Sequence, residues 1–242
     1  MKKIFSLCLL SFFLFSLMAS PGLSQKTSDI LEEMIDAQGG RKNLEKVKDM
    51  TLTGSMEMIT MGMSGSLTMY SKEPNKMRMD IEIMGMVITQ AFDGETAWWT
   101  NPATGATEEL SGDQADELRR QALGNDSFLH PDKYGITYTL KGKETVDDKE
   151  CFVLEQTHSD GYTATLYIDS KTYLPYKTVA TSMGQMGVEV EAESFSSDYK
   201  KVNGMMIPHS IKILQDGEEF MTLTFTEVTV NTGLDDSMFK ME

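Results

Sequence analysis

Beyond residue 25 the chain reads as short runs of alternating apolar and polar positions, punctuated by turns that contain glycine. Val188-Glu189-Val190-Glu191-Ala192-Glu193 alternates cleanly, the pattern of a strand with one dry face and one wet face. The same reading predicts strands over 51–59, 64–71, 77–83, 86–92, 96–100 and 106–110, and again over 136–142, 150–157, 162–168, 174–182, 187–197, 206–214 and 219–230. Asp93-Gly94 is a two-residue hairpin signal, and Asp160-Gly161, Asn203-Gly204 and Asp216-Gly217 mark further turns. Strands joined this way form a meander whose alternate turns lie at one end of the sheet. So many strands with one dry face require a curved sheet or barrel wrapped on something.

Helical spacing appears in few places. Ile30, Leu31, Met34 and Ile35 predict a helix over 28–38, with Thr27 or Ser28 as its cap and Gly39-Gly40 as its end. A second helix is expected over 41–48, with Leu44 and Val47 on one face. A third spans about 113–123, where Ser111 and Gln114 suit a capping box and Ala115, Leu118 and Ala122 form a thin apolar stripe. Residues 125–134 read as a loop carrying Phe128, Leu129, His130 and Pro131. Apolar residues in so long a connection suggest a lid or plug, though an ordinary crossover between two halves of a sheet fits equally.

Three turns depart from the usual composition. Thr60-Met61-Gly62-Met63, Ile83-Met84-Gly85-Met86 and Met183-Gly184-Gln185-Met186-Gly187 set methionine around glycine, where Asn, Asp or Ser is expected. Methionine is flexible and polarizable, so an exposed set of it suits a variable apolar ligand. The first two turns are separated by one other turn and share an end of the sheet. The alternative is a Met-rich core that happens to place methionine in loops.

Composition narrows the class. Lys2 and Lys3 followed by the apolar run Ile4–Met18 read as an export signal, with cleavage expected after residue 24. Residues 25–242 then form one domain, expected to be periplasmic, without a membrane span or an attached lipid. The formal charge of −15 disfavours nucleic acid and anionic membrane surfaces as partners. After cleavage only Cys151 remains, so no internal disulfide is possible, and its strand setting makes it a small buried apolar residue.

Catalytic patterns are missing. His130, His158 and His209 are widely separated, and no nucleophile elbow, phosphate loop or dinucleotide fingerprint occurs. The reading is therefore a non-enzymatic protein without a cofactor. The spacings Met56-x-Met58, Met61-x-Met63, Met77-x-Met79 and Met84-x-Met86 allow one rival chemistry, Cu(I) held by thioethers, since i and i+2 share a strand face. Of Trp98-Trp99, only one can face the core, and Trp98 is taken as a wall of the apolar cavity.

Several stretches, in order, resemble the periplasmic lipoprotein carrier LolA and the wider lipoprotein-sorting group. They are Pro74-Asn75-Lys76-Met77-Arg78, then Asp93-Gly94-Glu95-Thr96-Ala97-Trp98-Trp99-Thr100-Asn101-Pro102, the helix–Gly39-Gly40–helix opening, Asn203-Gly204-Met205-Met206-Ile207-Pro208, and the ending Asn231-Thr232-Gly233-Leu234-Asp235-Asp236-Ser237-Met238-Phe239. The resemblance implies a mainly β, unclosed antiparallel half-barrel with helices plugging its concave side. It also implies a monomer that carries acyl chains of lipoproteins from an inner-membrane donor complex to an outer-membrane acceptor. In that family the residue before the proline is an Arg that latches the helical lid; here it is Glu73, so that latch does not carry over. On this reading Met61, Met63, Met84 and Met86 form a lip, Trp98 part of the wall, and Leu118, Phe128 and Leu129 a cover. The rival is an envelope module that recognises a protein partner through the same lip.

Overall fold

The computed structural model describes residues 26–183 and 188–241. The expected export signal and residues 184–187, where the third methionine turn is expected, lie outside the described residues. The chain opens with helix α1 (Thr27–Ala37) and a single turn, α2 (Arg41–Leu44). Six strands follow: β1 (Asp49–Met58), β2 (Met63–Lys72), β3 (Lys76–Ile83), β4 (Met86–Phe92), β5 (Ala97–Thr100) and β6 (Thr107–Glu109). Helices α3 (Gly112–Gln121) and α4 (Asn125–Leu129) lead to β7 (Ile136–Val146), β8 (Lys149–His158), β9 (Thr163–Asp169), β10 (Pro175–Met183), β11 (Glu189–Val202), β12 (Met205–Gln215) and β13 (Glu218–Val230).

All strands join one antiparallel sheet in the order β6-β5-β4-β3-β2-β1-β13-β12-β11-β10-β9-β8-β7. Two meanders are thus stitched together where the first and last strands pair, Met50 opposite Val230 and Met58 opposite Met221. The edges, β6 and β7, do not pair, and the sheet is an unclosed half-barrel. The seam is tight. A bulge falls between Thr53 and Gly54, and a Cβ on Gly54 would lie 1.9 Å from the Thr224 carbonyl oxygen. The Asp49 carboxylate locks the lower end of the seam, accepting from the Thr232 amide at 2.7 Å and the Gly233 amide at 3.0 Å.

The helices lie on one face of the sheet. Ile30 and Met34 of α1 pack on Phe152, Leu154 and Ile168, while Ile35, Leu44, Val47 and Leu129 pack on Met205 and Ile207. Ala115, Leu118 and Ala122 pack on Met77, Phe92 and Ala97. Phe128 bridges the first two of these groups. Cys151 is fully buried.

Several local expectations are corrected. Thr27 does not cap α1; its hydroxyl accepts from the Leu140 amide at 3.1 Å, and the Lys26 amide donates to Asp29 instead. The helix expected over 41–48 stops at Leu44, because Lys46 and Val47 tighten to i−3 bonds that turn the chain into β1. Ser111 makes no capping bond; Gly112, with φ 60, opens α3 in the left-handed region and takes the hydroxyl off the helix amides. The 125–134 connection is not a loop but α4 followed by a 3-10 turn, Pro131–Tyr134. Asp93-Gly94 is not a two-residue hairpin: Phe92 pairs with Ala97, and Asp93 accepts from the Glu95 and Thr96 amides across a longer turn.

Candidate functional site

Directly opposite residues on neighbouring strands project from the same face, so the register identifies what lines the helix-bearing side. Across β3-β2-β1-β13-β12 that side is apolar almost without interruption. Met79 faces Met69, Met69 faces Leu52, Met58 faces both Met63 and Met221, and Ile213 faces Met221. Met56, Leu67, Ile83, Leu223 and Phe225 are buried at its base, and Ile81, Ile211 and Ile213 join the methionines as half-buried side chains. Among the described residues, this cluster consists of strand residues alone. The other three cores are capped by helices. An apolar floor therefore remains partly open at one end of the half-barrel.

The neighbouring strands narrow the side chains rather than continue the floor. Ser194 faces Ile213 and Ser196 faces Ile211, and Ala192 pairs with Ala180. Two clefts occur elsewhere: one of about 320 Å³ bounded by Leu44, Val47, Lys48, Glu73, Asn125 and Leu129, and one of about 250 Å³ around Lys149, Asp169, Tyr176 and Tyr199.

The rim of the floor carries the exposed large apolar residues other than Met241. Among the described residues, Ile59, Met61, Met84, Met86, Val87 and Val188 are exposed, with Met84 at 84 %. The register sets the strand ends that flank them at the same end of the sheet, Met58 opposite Met63 and Met221, Ile83 opposite Met86, and Glu189 opposite Met183. Glu57, Glu82, Glu189, Glu191, Asp216 and Glu218 stand exposed around these turns. The flanking segments 57–66, 79–90, 188–194 and 213–223 contain no Lys or Arg.

Helix α3 ties the two limbs of the half-barrel. Its apolar stripe rests on β3, β4 and β5. Its polar side reaches the other limb, where Ser182 Oγ donates to Glu117 at 2.9 Å and Arg120 donates to Asp160 at 3.0 Å. The Arg120 guanidinium also lies 4.1 Å from the Tyr162 ring centroid. Burial pushes the Tyr162 phenol up.

Glu73 holds α4. Its carboxylate accepts from the Asn125 amide at 2.7 Å and from the Asp126 amide at 3.4 Å. The Pro74 carbonyl accepts from the Gly124 amide at 3.1 Å. A Cβ on Gly124 would lie 2.4 Å from the Glu73 carboxylate oxygens, so only glycine admits this approach. Burial pushes the Glu73 carboxyl above its ordinary range, while the two amide bonds and Lys48 pull it back and Asp126 adds to the rise. The acceptor thus makes a latch of opposite polarity to an arginine, using backbone amides of the helix as donors.

The sequence-derived site residues fall into separate places. Met61, Met84 and Met86 stand on the rim and Met63 at the edge of the floor. Leu118 and Leu129 are buried under α3 and α4, and Phe128 is half-buried. Trp98 pairs with Ala91 on the opposite face, where its indole N–H donates to the Phe239 carbonyl at 2.7 Å beneath the C-terminal 3-10 turn Asp236–Phe239. Trp99, opposite Gln90, is the tryptophan on the helix-bearing face. Tracing Met77-x-Met79-x-Ile81-x-Ile83 around the hairpin to Phe92 and Ala97 identifies Trp99 by parity. Met58 and Met79 enter the sequence reading only as possible thioether ligands, and Ile211, Ile213 and Met221 not at all, because their convergence depends on the β1–β13 pairing.

A family model described as “-like: Uncharacterized protein” matches residues 83–242. The chain belongs to this family of uncharacterized proteins. No curated protein matches it. The fold is shared with solved structures of low identity. A DUF1329 family protein from Desulfovibrio piger aligns with TM-score 0.60 and 16% identity over 90% of this chain and 98% of its own. A LolA superfamily protein from Nitrosomonas europaea aligns with TM-score 0.59 and 18% identity over 89% and 98%. A putative outer membrane lipoprotein-sorting protein domain from Vibrio parahaemolyticus aligns with TM-score 0.58 and 16% identity over 86% and 95%. The family member is LolA-like in fold, as its sequence motifs suggest.

Proposed function

We propose that this protein is a periplasmic carrier that holds acyl chains of lipoproteins or other lipids and moves them toward the outer membrane, acting as a monomer and catalysing nothing. The observation that carries the reading is the partly open apolar floor spanning β3-β2-β1-β13-β12, which lacks a helical cap among the described residues. Each methylene laid on such a surface contributes about 0.8 kcal/mol when fully buried, so a long chain is retained without covalent chemistry. Met61, Met63, Met84 and Met86 form the lip, and α3 and α4, with Leu118, Phe128 and Leu129, cover the inner end. The acidic rim turns away anionic bilayers, so loading and unloading proceed through donor and acceptor proteins rather than by direct insertion. The likeness in fold to lipoprotein-sorting proteins supports the same assignment.

The test uses a fatty acid with an environment-sensitive fluorophore. Binding to the mature chain is expected to shift its emission to the blue, and unlabelled fatty acid should displace it. Ile213→Glu places a charge on the β12 side of the floor, beside Met221, and should abolish the signal while circular dichroism is unchanged. A folded protein that ignores the probe, or a charged variant that binds it as well as the parent, ends the carrier reading.

A further inference from the structure

The end of the floor holds a feature that lipid binding does not require. Met58 stands directly opposite Met63 on one side and Met221 on the other, giving three thioethers in a row across adjacent strands. Cβ atoms of such opposed pairs lie about 5 Å apart, and three rotatable bonds let each sulfur lean toward the centre. All three residues are half-buried, neither sealed in the core nor fully in water. The row lies beside the turn that carries Met61, which packs on β13.

Donor chemistry and charge then point to one class of ligand. Thioethers are neutral and soft, and they select Cu(I) over ions that need oxygen or nitrogen. Among the described residues, no group of His, Cys, Asp or Glu is arranged to hold a harder metal. The rim adds an independent pull. Glu57, Asp216 and Glu218 flank the row, the turns beside it hold no Lys or Arg, and Lys212 in the adjoining strand is paired with Glu219 at 3.1 Å, so the net local field draws cations inward. We infer that Met58, Met63 and Met221 form a three-thioether site for Cu(I). The inference does not rest on the carrier reading, since a metal titration needs no lipid.

The experiment is an anaerobic titration of the full chain with Cu(I) buffered by a competing chelator, followed through isotope-labelled methionine methyl resonances. A single equivalent should shift the Met58, Met63 and Met221 methyls together, while Zn(II) moves none. The triple variant Met58→Leu, Met63→Leu, Met221→Leu keeps apolar volume and should keep its thermal midpoint and lose the ion. Met69→Leu with Met79→Leu, on the same face, should retain it. Uptake by the triple variant equal to the parent overturns the site, as does a folded parent whose methyls do not respond or whose response is confined to other residues. Should the triple variant fail to fold, the parent's methyl shifts and the single Met58→Leu, which removes the central donor, decide the question.

Discussion

Met84 is the most exposed apolar side chain of the rim, and its backbone is left-handed, with φ 54 beside Gly85 at φ 80. Positive φ at both central residues is what a two-residue turn between twisted strands requires, and Asn suits the first position far better than an unbranched apolar residue. The sequence therefore keeps a residue there against local preference, as the proposed role of Met84 in the lip requires. Met84→Asn should raise stability by about 0.5–1 kcal/mol, the strain relieved on leaving an unsuited side chain out of this region. The same change should weaken fatty-acid binding severalfold. Urea unfolding and probe titration read the two effects separately, and a stabilised variant with undiminished binding would remove Met84 from the lip. At this scale the sequence disclosed the methionine turns outright, since residue type and glycine neighbours are local facts. It did not disclose which of Trp98 and Trp99 faces the helices, because that depends on tracing face parity through two hairpins.

Among the elements, α4 shows how little of a short helix is written in its own residues. Five residues with one acidic group in the first turn carry almost no helical signal, so 125–134 reads as a loop. What makes it a helix is distant: Glu73 takes its first amides, and Leu129 is buried against Ile35, Leu44 and Val47. Glu73→Ala leaves a partly buried amide without its acceptor and should cost about 1–2 kcal/mol, seen as a lower urea midpoint and faster amide exchange over 125–129. The pH dependence has a definite sign. A carboxyl raised above its ordinary 4.5 binds its proton more tightly folded than unfolded. Its contribution is therefore fully present below 4.5 and is lost as pH rises through the folded value. Glu73→Gln does not titrate and keeps one acceptor oxygen for Asn125. Its stability relative to the parent should improve between about pH 4 and about pH 7, and a flat difference would mean that burial does not perturb this carboxyl. The long strands were readable by contrast, because period-two alternation over many residues needs no partner to be recognised.

For the whole molecule, the decisive contacts are those that join residues far apart in the chain. Hairpin after hairpin can be read locally, yet the pairing of β1 with β13 and the reach of α3 to the opposite limb cannot, and these two features create the floor and its cover. The strap is asymmetric. Toward β3, β4 and β5 it is held by Ala115, Leu118 and Ala122, a buried apolar contact that screening by salt does not weaken. Toward β10 and the β8–β9 turn it is held by polar pairs, of which Arg120 with Asp160 and Tyr162 is the best defined. Partly exposed ion pairs of this kind contribute little to stability, so the polar side is the one expected to open first, with the apolar side as hinge. Arg120→Glu sets a carboxylate against Asp160 and removes the guanidinium from the Tyr162 ring. Global unfolding should then move by no more than about 1 kcal/mol, while amide exchange in α3 accelerates and fatty-acid probe enters faster in stopped-flow mixing. The Glu117 contact with Ser182 remains as an internal control, and Ser182→Ala should give a smaller change in the same direction. If Arg120→Glu leaves the entry rate unchanged while exchange in α3 rises, access to the floor does not pass beneath this helix, and loading occurs entirely at the methionine rim.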